Sequence, residues 1–207
     1  MAPGTERMAR AFDDLADEYD DAYHDEVARA LVGWSAPTGT EAVADVACGT
    51  GAVALAVVAA GGGGGVPVLA VDLSAGMVAA GRARAERAGV GGAIDWRVAP
   101  AVPLPVADGS LDVILCASSL HFLGTPALAD WRRALRPGGR VGCTLPVAST
   151  FQPRGVYAEL VASDLPLPET AENGRQLADH AGFTDTAARL LDVGSRRVVL
   201  IRGRTPA

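Results

Sequence analysis

The chain of 207 residues contains no lysine, and Asn173 is its only asparagine. No Schiff-base or phosphate-binding lysine chemistry is therefore available to it. Cysteine is scarce, and Cys48, Cys116 and Cys143 stand far apart with no paired spacing. That argues against a disulfide framework or a zinc site and fits the reduced thiols of a cytoplasmic protein. No apolar run is long enough to cross a bilayer. The acidic start MAPGTERMARAFDDLADEYDD has neither the apolar core nor the cleavage site of a secretory leader. A net charge of −6 opposes a nucleic-acid partner, which calls for a basic face. Neither nucleic acid nor membrane is expected as a partner, and nothing indicates the oligomeric state.

What is present reads as one domain with a substantial core. Residues 5–33 carry apolar side chains at helical spacing (Met8, Phe12, Leu15, then Val27, Leu31) with a break near Tyr19-Asp20, which predicts two helices. From residue 43, short β-branched runs alternate with Ala-rich helical runs. Strands are expected at 43–47, 66–72, 94–99, 111–117 and 140–145, and helices at 52–60, 75–89 and 126–135. This alternation predicts an α/β fold, a parallel sheet covered by helices on both faces. After a Pro-bearing segment, 172–181 reads as a helix, and 186–193 with 196–203 as a hairpin turning at Gly194-Ser195. The five-glycine run at 61–65 reads as a flexible surface connection.

The stretch DVACGTGAVA (45–54) is a strand–loop–helix turn, in which glycines let bare backbone and a helix N-terminus approach a ligand. Asp72 ends the next strand, where a carboxylate can accept hydrogen bonds from both hydroxyls of a ribose. By themselves these features suit either a nicotinamide or flavin dinucleotide or S-adenosylmethionine, since both carry a ribose.

Four ordered segments decide between them: VADVACGTG (43–51), DLSAGM (72–77), LPVADGSLDVIL (104–115) and LRPGGRV (135–141). Together they resemble the class I S-adenosylmethionine-dependent methyltransferases over residues 12 to about 203. The resemblance implies a Rossmann-like, seven-stranded, mostly parallel sheet of order 3-2-1-4-5-7-6 with helices on both faces. It implies S-adenosylmethionine as cofactor and S-adenosylhomocysteine as product. The chain would divide into an N-terminal helical cap (1–38), a cofactor-binding half (39–145) and a substrate-side segment ending in the last helix and hairpin (146–207).

The same resemblance implies site residues. Asp45 and the backbone of Ala47, Cys48, Gly49, Thr50 and Gly51 would surround the methionine end, with Tyr19 closing over it. Asp72 would hold the ribose, Leu73 and Met77 would pack on the adenine, and Ser74 would cap the following helix. Pro100 and Ala101 would border the adenine edge, and Cys116 would approach the methionine through its backbone. His121, in SSLHFL, is the candidate general base, its unperturbed pKa of about 6.5 suiting the role. Tyr23 and His24 would reach the acceptor. LRPGG and Asp112 read as structural, and Trp34, Trp96 and Trp131 as packing.

Two positions depart from the family. Ala47 stands where many members have glycine, a mild change. Pro100 stands where an Asp commonly accepts the adenine amino group, leaving adenine contacts to the Ala101 backbone and to packing. The segment 146–171 is short for a lid, which predicts a shallow or open acceptor pocket shared by the N-terminal helices, Phe122, Phe151 and Tyr157. The leading expectation is methyl transfer to O, N or C of a small metabolite, such as a secondary metabolite. CASSL in place of an N/D-P-P-Y/F motif opposes nucleobase methylation. The alternatives are a cyclase or other repurposed catalyst that uses the cofactor structurally, and, more remotely, an NAD-dependent oxidoreductase.

Overall fold

The computed structural model describes residues 3–16, 19 and 21–207. Two helices come first, α1 (Pro3–Leu15) and α2 (Asp21–Ser35), divided near Tyr19 as expected, with Asp20 itself outside the described residues. The alternating part follows as β1 (Val43–Val46), α3 (Ala52–Ala59), β2 (Val68–Asp72), α4 (Ala75–Arg87), β3 (Ile94–Val98) and β4 (Leu111–Cys116). Then come α5 (Leu120–Leu123), α6 (Thr125–Ala134), β5 (Leu135–Pro146), α7 (Val156–Leu160), α8 (Ala171–His180), β6 (Thr184–Val193) and β7 (Arg196–Arg204).

The sheet order is β3-β2-β1-β4-β5-β7-β6, with β3 through β5 parallel and β7 antiparallel to both its neighbours. The inner strands are apolar at successive positions because both sheet faces are covered. Val43, Val68, Ala70, Val113 and Leu115 face α2, α3 and α4, packing with Leu31, Val57 and Val78. Ala44, Val46, Val71, Ile114 and Leu145 face the other way, onto Leu128 and Trp131 of α6 and Ala178 of α8. Asp45 breaks the apolar run of β1 and is fully enclosed. Ser74 Oγ accepts from the Met77 N–H at 3.0 Å, capping α4 as expected.

The hairpin turns at Gly194-Ser195, with Val193 opposite Arg196 and Gly194 at φ +58°. β5 starts earlier than expected, because Leu135 already pairs with Leu111 before the ladder shifts to Val113–Arg140. Within that start, Arg136 binds Asp112, whose other oxygen accepts from Ala42 N–H at 2.7 Å, so LRPGG and Asp112 anchor strands. Among the described residues no helix is long and apolar enough to cross a membrane, and no group of three or more His, Cys, Asp or Glu is placed to hold a metal ion.

Candidate functional site

At the carboxyl ends of the parallel strands, where open α/β sheets bind ligands, the structure has two cavities of about 410 and 430 Å³. Both lie under the N-terminal helices, and Phe12, Tyr19, Ser119 and Phe122 line both. The first is lined by Ala47, Gly49, Asp72, Leu73, Met77, Pro100 and Ala101, with Met8 and Phe12 of α1 as roof.

Its centre is a backbone loop held by carboxylates. Asp72 accepts from Gly49 N–H at 2.8 Å with one oxygen and from Ser74 N–H at 2.9 Å with the other. Burial raises its pKa, while the N–H groups of Ser74 and Gly49 pull it down. Asp45 accepts from Ala54 N–H at 2.9 Å and so ties the start of α3 to β1. Burial pushes its carboxyl up to about 7, the Ala54 N–H lowering it and the Asp72 charge adding to the rise. Asp45 faces a much smaller cavity of about 10 Å³ behind the loop, together with Tyr19, Cys48 and Thr50. The loop is braced from outside by Arg84, which donates to Thr50 Oγ1 at 2.9 Å and pairs with Asp25 at 2.8 Å. The Cys48 thiol is pushed well above its ordinary range by burial and then by Asp45 and Asp72, so it stays protonated.

Ala47 differs from the mild change expected. It sits at φ +52°, the left-handed region that favours glycine, and a Cβ there costs roughly 1–2 kcal/mol. Two other expected residues lie off the cavity walls. Gly51, at φ +79°, has Trp96 directly over it: a Cβ would meet the indole at 2.3 Å, so the glycine is required by packing. Cys116 is fully buried in β4, and its thiol is held protonated by burial and by Cys143 beside it. Trp131 is enclosed in the core, whereas Trp34 lies against the guanidinium groups of Arg189 and Arg202.

The second cavity is lined by His121, Tyr23, His24, Ser118, Phe151 and Tyr157, and by Ser195, Arg196 and Arg197 at the hairpin turn. Its volume of about 430 Å³ is that of an ordinary small-molecule site. The short segment after β5 gains a roof from α1: Arg7 pairs with Glu159, and the Tyr157 hydroxyl donates to Ala11 O at 3.1 Å. Asp13 fixes the other side of α1, accepting from Ser74 Oγ at 2.5 Å and Gly76 N–H at 2.8 Å.

His121 is 5 % exposed, and its pKa falls to about 4, through burial first and the His24 imidazole second. The pKa near 6.5 expected for a general base is absent; the ring is neutral at neutral pH. Among the described residues its Nδ1 has no hydrogen-bond partner, and neither does Ser118 Oγ in the same wall. Sequence reasoning missed Asp13, Arg84 and Arg196, which lie in no recognisable motif, and passed over Ser118 beside His121 in SSLHFL.

The first cavity's donor set fits a nucleoside. A buried carboxylate for the ribose diol stands beside an apolar slot of Leu73, Met77 and Ala101 for a flat base, with bare backbone at Gly49. A family model described as a methyltransferase domain matches residues 43–139. The chain is 34% identical over 136 residues to the ubiquinone/menaquinone biosynthesis C-methyltransferase UbiE of Roseobacter denitrificans, covering 65% of this chain and 54% of that one. It is 31% identical over 172 residues to the demethylmenaquinone methyltransferase of Renibacterium salmoninarum, covering 78% and 68%. It thus spans about half the length of the first of these relatives. A SAM-dependent methyltransferase from Thermotoga maritima superposes with a TM-score of 0.69 at 18% identity, covering 95% of this chain and 99% of that one. Sheet order, loop and relatives converge: the chain belongs to the class I S-adenosylmethionine-dependent methyltransferases.

Proposed function

We propose that the protein transfers a methyl group from S-adenosylmethionine to a small-molecule acceptor. The observation that carries this reading is the pair of cavities meeting at Phe12, Tyr19, Ser119 and Phe122, one built for a nucleoside and the other for a second small molecule. When bound, S-adenosylmethionine supplies an electrophilic methyl on a sulfonium and leaves as neutral S-adenosylhomocysteine. The chain's own residues do the rest. Asp72 binds the ribose; Leu73, Met77 and Ala101 enclose the adenine; Asp45 and the 47–50 backbone set the methionine end.

Pro100 itself offers no carboxylate to the adenine amino group, so adenine binding at that edge rests on packing and on Ala101. Loss of that one bond weakens binding by about 0.5–1.5 kcal/mol, roughly tenfold at most. The aromatic walls exclude water and align the acceptor, and orientation of this kind supplies about 7–11 kcal/mol of a barrier. Neutral His121 serves as a hydrogen-bonding group that orients the acceptor. As a base its conjugate acid is too strong to hold a proton at neutral pH.

Calorimetry with S-adenosylmethionine, S-adenosylhomocysteine and NAD tests the reading. Micromolar binding of the two sulfur compounds and none of NAD is expected; the reverse pattern sinks it. Binding without methylated product across an acceptor screen would favour the cyclase-type use of the same site.

A further inference from the structure

β3 stands at one end of the sheet order and pairs only with β2. Among the described residues no strand lies against its other side, which leaves a row of backbone groups open to pairing. Which groups these are follows from the ladder. Just past the strand, Ala99 N–H donates to Asp72 O at 2.9 Å. Alternate residues of a parallel strand bond to the same neighbour, so Asp95 and Arg97 also bond toward β2. Ile94, Trp96 and Val98 then turn their N–H and C=O groups to the open side. Trp96 O agrees with this, since it accepts from the Arg82 guanidinium of α4 at 3.0 Å. A carbonyl oxygen accepts two hydrogen bonds, so a strand N–H can join the arginine there.

The strand is also complementary to itself. Ile94-Asp95-Trp96-Arg97-Val98 reads apolar, acid, aromatic, base, apolar. Set two copies antiparallel about a two-fold axis at Trp96, and each position faces the one equally far beyond the axis. Facing side chains share one side of the sheet. Asp95 then meets Arg97 of the second copy, Arg97 meets its Asp95, and Ile94 meets its Val98. The backbone asks for the same axis, because Trp96 is the central outward residue and can exchange N–H and C=O bonds with its own copy. Within one chain Asp95 and Arg97 are about half exposed and bond to each other, but only through Asp95 Oδ2, at 2.6 and 3.0 Å. In the pair, charges of opposite sign alternate around the axis. Val98 is 55 % exposed, more than any other large apolar side chain among the described residues, and pairing covers it. Pro100, lacking an N–H, stops the ladder just beyond.

The sheet's other edge is guarded. In β6 the acid and base that the same symmetry would oppose are Asp185 and Arg189. A register shift between Thr184 and Ala187 falls there, with Asp185 at φ +49°. Bulges of this kind turn an edge away from pairing. β3 has no such shift.

We infer that β3 is an interface between two copies of this chain, joined edge to edge in antiparallel register about Trp96 into one continuous sheet. The inference is independent of the methyl-transfer reading, and its test needs no cofactor. Sedimentation equilibrium of the whole chain should show a species of twice the chain mass that dissociates on dilution. R97D sets acid against acid on both sides of the axis, and D95R sets base against base. Each should weaken association about tenfold or more. The double exchange D95R/R97D opposes the charges again and should restore the dimer. An equimolar mixture of D95R and R97D should associate where neither does alone. Thermal melts of each variant check that the fold is intact. A monomer at every concentration, a dimer indifferent to both reversals, or a double exchange that fails to recover association overturns the inference.

Discussion

The cavity under the glycine loop is built from backbone held in place by buried carboxylates, and its pieces are close in sequence to the strands that carry them. The cavity beside it is built from rings, guanidinium groups and unpartnered polar atoms contributed by α1, α2, the turn into α5, α5, α7 and the hairpin turn. In the first, Gly49 N–H, Ser74 N–H and Ala54 N–H are already engaged by Asp72 and Asp45, so the shape exists before a ligand arrives. In the second, Ser118 Oγ and His121 Nδ1 are enclosed without a hydrogen-bond partner among the described residues. The cofactor side is thus fixed by folding, whereas the second cavity keeps polar atoms that folding leaves unsatisfied.

The sharpest way to break this difference is Gly51→Ala. The added Cβ is set against Trp96, whose ring also lies so close to Gly81 that a Cβ there would meet it at 2.5 Å, so the indole is held tightly. Left-handed strain of about 1–2 kcal/mol and overpacking of about 1–3 kcal/mol add to a loss of several kcal/mol. Urea denaturation should show it, with S-adenosylhomocysteine affinity falling too; an unchanged midpoint would mean that the loop is not preset by folding.

The two sides should also answer oppositely to pH. Native Asp45, with its pKa near 7 against 3.8 when exposed, holds a proton that the unfolded chain lacks. Its contribution to stability therefore rises as pH falls through 7 and levels off near 3.8. Native His121 refuses until about pH 4 the proton that the unfolded chain takes below 6.5, so its contribution falls across that window. Each effect is at most roughly 3–4 kcal/mol. Denaturation at pH 7.5 and pH 5 should show Asp45→Asn losing relative stability on acidification and His121→Phe gaining it. Identical wild-type slopes in both variants would remove the distinction.

Asp72→Ala comes next. It deletes the charge-assisted bonds to the loop as well as those proposed to the ribose, and about 1.5–3 kcal/mol corresponds to roughly 10- to 150-fold weaker sulfonium binding by calorimetry. Unchanged affinity would take the ribose role from it. The smallest change sharpens the picture instead of breaking it: Ala47→Gly relieves the φ +52° strain and should stabilise by about 0.5–1 kcal/mol without loss of cofactor affinity.

Much of this architecture was legible because local rules and the fold agree. Inner strands buried on both faces read as apolar runs, Ser74 caps a helix three residues ahead, and Gly194-Ser195 closes a hairpin. Helices of four and five residues, α5 and α7, complete too few turns to show a period and escaped notice. Motifs placed Asp72 and the loop, since the strand ends that hold them are themselves encoded locally. Asp13, Arg84 and Arg196 act across α1–α4, α2–α4 and hairpin contacts that no short window contains. The His121 pKa depends on enclosure by Phe122 and Phe151, and the Ala47 dihedral on the turn into α3. Neither is visible from residue type.

Trp96 has a consequence of another kind. Its indole is wedged between Gly51 and Gly81, directly beneath the cofactor loop, while Trp131 is sealed in the core and Trp34 lies under arginines at the far end of α2. Excited at its absorption maximum, the protein therefore carries an intrinsic optical reporter of the loop, one whose emission should follow nucleoside arrival in real time and fall silent in Trp96→Phe.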